Sequence, residues 1–230
     1  MNLTEHYDKL YTHAIQEIRS DRYQLDNLID SPADDRYGMT LLIRPNDTIK
    51  NNIQTLLNDL RAIEPDQYYY PNSDIHVTVM SIISCYSGFQ TANIPVAEYI
   101  AVINQSIQSQ KSIIIEFKGV TASPSCVMIQ GFLPDDTLHN IRDSLRMNFR
   151  SSTLEQTIDK RYTIQTAHCT ITRFRKSFTN TQGYIDTMEK YRYFAFGTLK
   201  TNTLELVYND WYHRQHSSKA LHRFTLNGNP

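Results

Sequence analysis

Residues 45–60 and 134–149 of this 230-residue chain overlay without a gap, and no other feature restricts its possible folds so much. Pro45, Asp47, Thr48 and Asn51 in the first copy meet Pro134, Asp136, Thr137 and Asn140 in the second, while Ile49, Leu56 and Leu60 meet Leu138, Leu145 and Phe149. In each copy an apolar strand (Met39–Arg44, then Cys126–Leu133) stops at the proline. A helix follows, with Asp47 or Asp136 as its expected cap; in the first copy Ile49, Ile53, Leu56, Leu57 and Leu60 form its apolar stripe. A second strand comes later, over 68–83 and over 162–173. A duplicated unit of this kind predicts two similar halves within one fold. The 40% hydrophobic content suffices for a sizeable core.

The later strands carry matching patterns. In Ile75–Met80, IHVTVM, the β alternation puts His76 and Thr78 on one face and Ile75, Val77 and Val79 on the other. In Ala167–Ile171, AHCTI, His168 and Thr170 share a face while Ala167, Cys169 and Ile171 turn away. The two histidines are offset by 92 positions and the helix starts by 89, so the motifs occupy equivalent places in the two copies. A lone H-x-T is weak: His216 and Ser218 show the same spacing without an apolar strand. Two inside repeated strands are hard to ascribe to chance.

Around this core, helices are expected at 3–19, 96–108 and 180–192, and further strands at 112–120, 198–208 and 220–226. The fold class expected is α+β: a bilobal, pseudo-symmetric duplication with two antiparallel sheets and helices on their outer faces, although β-α-β order alone also permits parallel pairing. Residues 1–36 read as a helical extension that packs on, lids or partners the bilobal unit 37–230. Residues 1–37 carry 8 acids and 4 bases and 161–230 carry 4 acids and 10 bases, so the second motif lies in a basic portion. The net charge of -1 argues against a broadly basic nucleic-acid coat. The start, MNLTEHYDKL, lacks the pattern of a secretory signal and no apolar run approaches a membrane span, so a cytoplasmic protein with no membrane partner is expected. Cys85, Cys126 and Cys169 lack C-x-x-C spacing and read as reduced thiols, with Cys169 a small core residue.

HVTV and HCTI, at matching places in two related halves, resemble the paired motifs of the two-histidine (2H) phosphoesterase superfamily, and the resemblance spans roughly residues 37–226. It implies two lobes facing a central cleft, with His76, Thr78, His168 and Thr170 as the catalytic set. It also implies an activity among hydrolysis of 2',3'-cyclic nucleotide phosphates, cleavage or joining of 2'-5' RNA linkages, trimming of RNA 3' ends and opening of other cyclic phosphodiesters. The substrate expected is a nucleotide or short RNA end rather than long duplex RNA or DNA.

The residue types suit that chemistry independently. Cleaving a phosphodiester needs one group to take a proton from the attacking hydroxyl or water and another to give one to the departing oxygen. Imidazoles held in different environments do both near neutrality, and threonine hydroxyls can donate to the non-bridging oxygens. The scheme needs no metal or other cofactor, and the chain has neither H-E-x-x-H nor paired C-x-x-C. Substrate contacts are expected from Tyr70 among Tyr68–Tyr70, from Phe132, and from Arg173 at the strand end, where Thr172 continues the His168 face and Arg175 and Lys176 follow. The Asn209–Tyr212 run has no assignable direction, and His213 and His216 read as an exposed loop. Two other classes fit the same residues: a module that binds nucleotide or RNA ends without turnover, and an interaction protein built around the N-terminal helix.

Overall fold

The computed structural model describes residues 2–226. Helix α1 (Leu3–Arg19) starts at Asn2, whose side chain accepts from the Glu5 amide, and buries Tyr7, Tyr11, Ala14, Ile15 and Ile18. Strand β1 (Arg36–Ile43) leads through Pro45 into α2 (Asp47–Ile63). The cap of α2 is Asn46 rather than Asp47: its side chain accepts from Ile49 N at 3.0 Å, and Asp47 begins the helix. Next come β2 (Tyr68–Tyr69), β3 (Val77–Ser87), α3 (Val96–Ile107), β4 (Ile113–Ser123) and β5 (Cys126–Phe132). Helix α4 (Thr137–Arg150) is preceded by Asp136, but the neighbouring Asp135 carboxylate accepts the Thr137 amide at 2.9 Å. Then follow β6 (Cys169–Arg173), α5 (Thr181–Lys190), β7 (Ala195–Thr201), β8 (Thr203–Asp210) and β9 (Lys219–Thr225).

Two antiparallel sheets form, in the orders β3-β1-β8-β9 and β2-β6-β5-β4-β7. The repeated strands hold corresponding places, β3-β1 at one end of the first sheet and β6-β5 in the second. The helices are exchanged. α2, from the first copy, lies on the second sheet against β7 and α5, while α4, from the second copy, packs on α3 and β3 of the first. Asn52 of α2 donates to Phe196 O at 2.9 Å, and Phe149 of α4 meets the ring of Tyr99 in α3. Helix α1 covers β4 and touches α5.

Three expected strands are shorter or divided. The stretch 68–83 splits at the 70–76 turn, so that Tyr68 and Tyr69 pair with β6 in the second sheet and only Val77 onward joins the first. Residues 151–168 run as irregular chain, and the second motif strand begins only at Cys169. The 198–208 stretch breaks at Asn202, where the chain crosses from β7 in one sheet to β8 in the other. Among the described residues no helix is long and apolar enough to cross a membrane.

Candidate active site

His76, Thr78, His168 and Thr170 all line one cleft, with Tyr70 and Arg173 beside them. The first sheet and its connections supply Thr40, His76, Thr78, Ser81, Ser84, Cys85, Asn209 and His213; the second supplies Tyr70, His168, Thr170 and Arg173. Each histidine stands just before its strand, His76 before β3 and His168 before β6, and each threonine just inside it.

The His76 ring is oriented by its Nδ1, 2.7 Å from the Asp74 carbonyl oxygen. A carbonyl only accepts, so Nδ1 carries the proton and Nε2 keeps its lone pair. His168 is held differently: its Nδ1 lies 2.7 Å from the Thr166 hydroxyl, which has the Tyr7 hydroxyl of α1 nearby. The Tyr7 hydroxyl in turn donates to Gly131 O at 3.2 Å. Burial lowers both imidazoles to about 4. For His76 the Arg44, His168 and Arg173 charges add to the effect while the Asp74 bond opposes it; for His168, Arg142 and His6 add to it.

Arg142 is the buried cation of this site, although nothing in the motifs pointed to it. It is fully inaccessible, and from α4 its Nε donates to Val79 O at 3.0 Å while Nη2 donates to Thr78 O at 3.0 Å and to Thr166 O at 2.8 Å. One guanidinium thus ties the strand of the first motif to the segment leading into the second. Its signal in the sequence is its position: Arg142 falls on the apolar stripe of Leu138, Ile141, Leu145 and Phe149.

Arg173 Nε donates to the Tyr70 hydroxyl at 2.9 Å, and Arg173 Nη1 stands 3.8 Å from Asp26. Thr172 does not continue the His168 face. Val127 and Met128 of β5 pair with Thr172 and Thr170, leaving Ile171 as the extra residue of a bulge; Thr172 is fully buried near Tyr184. The same bulge lets Arg173 face the cleft. Arg175 is held elsewhere by Asp66 O and Asp30, and Gln67 donates to the Lys176 carbonyl. Phe132 is also away from the cleft, edge-on to Tyr7 with ring centroids 5.6 Å apart, in a separate depression beneath α1. The strand that carries it ends against the N-terminal helix, whose packing position the sequence pattern does not fix.

The Asn209–Tyr212 run does face the site. Asn209 and Trp211 line the cleft, and Trp211 is flanked by Arg36 and Arg161, whose guanidinium carbons lie 4.5 and 4.4 Å from its ring centre. His213 is not in an exposed loop: it lines the cleft with its ring centroid 4.0 Å from that of His76. His216 is exposed, in the turn Gln215–Ser217. Cys169 is fully buried, as expected of a core residue. Among the described residues no group of three or more His, Cys, Asp or Glu side chains is arranged to hold a metal ion.

These features define a bilobal α+β fold with a histidine-lined cleft between its two sheets. The same fold occurs in TT0787 of Thermus thermophilus, which is 12% identical, with 85% of this chain covering 100% of that one at a TM-score of 0.58. It occurs also in E. coli LigT complexed with 3'-AMP (12% identity, 83% of this chain and 98% of that chain, TM-score 0.55). A structure described as a phosphoesterase shares it too (12% identity, 83% and 98%, TM-score 0.57). No family model matches the sequence, and no curated protein does.

Proposed function

We propose that this chain is a two-histidine phosphodiesterase acting on a nucleotide or an RNA terminus, through a 2',3'-cyclic phosphate or a 2'-5' linkage. The observation that carries the reading is the convergence of His76, Thr78, His168 and Thr170, from two sheets, on one cleft that also holds Arg173. The LigT structures, solved with 3'-AMP, NADP+ and ATP, support a nucleotide-sized ligand for a cleft of this fold. Residues 37–230 form the catalytic unit in this reading, and residues 1–36 are a helical extension packed on it.

In the proposed mechanism the two imidazoles exchange one proton across the phosphate. His76 already presents a bare Nε2 and suits the base, taking a proton from the attacking hydroxyl or water. His168 delivers a proton to the departing oxygen. At neutral pH both rings are neutral in the empty cleft, so the acid is made by the substrate: a phosphodiester anion close to His168 favours its charged form and raises its pKa. Thr78 and Thr170 donate to the non-bridging oxygens, and the Arg173 guanidinium balances their charge. With a cyclic phosphate, water attacks and a monoester results; with a 2'-5' linkage, the adjacent 3'-hydroxyl attacks and leaves a cyclic phosphate. Acid and base are both supplied by side chains, so no metal is invoked. The reading places the protein in the cytoplasm.

The test is turnover, with EDTA present, of 2',3'-cyclic nucleotides, RNA bearing a cyclic end and 2'-5' linked oligoadenylate. His76→Ala and His168→Ala should each lower kcat by roughly 10²- to 10⁴-fold on whichever substrate is used. Turnover that survives both substitutions would overturn the mechanism, and binding without turnover would make the protein a nucleotide-end binder.

A further inference from the structure

Beyond the paired motifs, the cleft holds a third imidazole. We infer that His213 is the positioning residue of His76: a ring packed against it, on a turn that clamps the loop carrying His76. The inference rests on the function proposed above only in taking His76 as the base.

The two ring centroids are 4.0 Å apart with planes inclined by 35°, close enough to stop the His76 ring from turning about its outer bonds. His213 is itself fixed from behind. Asn209 Nδ2, which also donates to Asp210 O at 2.8 Å, lies 3.2 Å from His213 Nε2. The turn is built around Asp210, whose carboxylate accepts the amides of Tyr212 at 3.2 Å and Arg214 at 2.9 Å. One residue on, the Gln215 amide donates to the Asp74 carboxylate at 3.0 Å. Asp74 is the residue whose carbonyl orients His76. The turn therefore grips the His76 loop twice, through ring on ring and through Gln215 on Asp74.

The backbone of His213 has φ 58, in the left-handed region. A side chain there costs about 1 kcal/mol or more relative to glycine, and such residues gather at functional sites. The ring packed against His76 and backed by Asn209 offsets that cost.

The charged and titratable groups acting on His76 are Arg44 from the end of β1 and His168 and Arg173 from the second sheet, with the His213 ring packed against it; the Asp74 carbonyl is its hydrogen-bond acceptor. Removing the His213 ring admits water to one face of His76, which lessens the desolvation that keeps it neutral.

Four variants test this: His213→Phe, which keeps a flat ring; His213→Ala; His213→Gly, which also relieves the backbone; and Asn209→Ala. For each, kcat, KM and urea unfolding are measured. The tautomer and titration of His76 are read by long-range ¹H–¹⁵N NMR, with His76→Asn identifying the signal. His213→Phe should keep kcat within about threefold and leave His76 as the Nδ1–H tautomer. His213→Ala and His213→Gly should lose roughly 10- to 100-fold in kcat with KM within about twofold, and shift the His76 midpoint upward. His213→Gly should unfold no earlier than wild type despite that loss. Asn209→Ala should fall between, since the ring remains but loses the buried side chain packed behind it as well as the hydrogen bond that His213→Phe also lacks. Wild-type kcat in His213→Ala would overturn the inference. So would a Phe variant as impaired as Ala, or a loss confined to KM, either of which would make His213 a substrate contact. If wild type turns over none of the phosphodiesters, the function reading fails by itself; the NMR arm still decides whether His213 sets the His76 tautomer and midpoint.

Discussion

At residue scale the cleft shows how little space surrounds its chemistry. Gly131 in β5 comes so near the chain before His168 that a Cβ there would stand 1.8 Å from Ala167 O. Gly131→Ala must push that carbonyl away and carry His168 with it, so a loss of roughly 3 kcal/mol or more is expected in urea unfolding. Turnover should fall further than the unfolded fraction explains. The histidines also leave a mark on stability. Folded His76 and His168 stay neutral down to about pH 4, whereas unfolded imidazoles take protons near 6.5. Between those values the unfolded chain binds more protons, so their contribution to stability is complete above about 6.5 and is lost as pH falls toward 4. His76→Asn keeps a donor for Asp74 O but cannot titrate. Its unfolding midpoint should decline less steeply than that of wild type between pH 7 and 4. The paired motifs were legible because alternation in a strand is a local property. His213 was not, because its place beside His76 depends on β8 lying next to β1, a pairing that no local pattern encodes.

At the scale of elements, α4 and α1 serve the site without carrying either motif. Arg142 of α4 satisfies three buried carbonyls, and burial lowers its pKa only to about 10, so it remains charged at neutral pH. Arg142→Met should cost on the order of 3 kcal/mol by leaving those carbonyls unpaired. Arg142→Lys should recover only part of this, because a point charge cannot reproduce the fork. Both should lower kcat in the folded fraction, measured below the unfolding transition. Helix α1 acts through Tyr7, whose hydroxyl donates to Gly131 O and lies near Thr166, the residue bonded to His168. Tyr7→Phe should lose about 1 kcal/mol in denaturant unfolding through the bond to Gly131, and change the acid limb of the pH–rate profile by altering the polar surroundings of Thr166 and His168. Helices 3–19 and 96–108 were readable to within a residue or so because their stripes are long and regular. The 68–83 and 198–208 stretches misled because an apolar run does not say which of two sheets it joins, and each divides its residues between both.

For the molecule as a whole, the exchange of helices makes the two sheets interdependent. The first sheet is covered by α3 and α4 and the second by α1, α2 and α5, and the C-terminal segment gives β7 to one and β8 to the other. Neither half of the duplication has its own covered core. Urea unfolding followed by the fluorescence of Trp211, the single tryptophan, and by far-ultraviolet circular dichroism should give one coincident transition. Separate transitions would show that the halves are independent after all. The same exchange has a consequence for the chain during its synthesis. When β1, α2 and β3 have left the ribosome, the two helices that will cover their sheet, α3 and α4, are still unmade, and α2 has no second sheet on which to settle. The apolar faces of the first strands lack part of their cover until residue 150, the last of α4, has emerged. The nascent chain therefore exposes apolar surface through much of its translation that the finished fold covers.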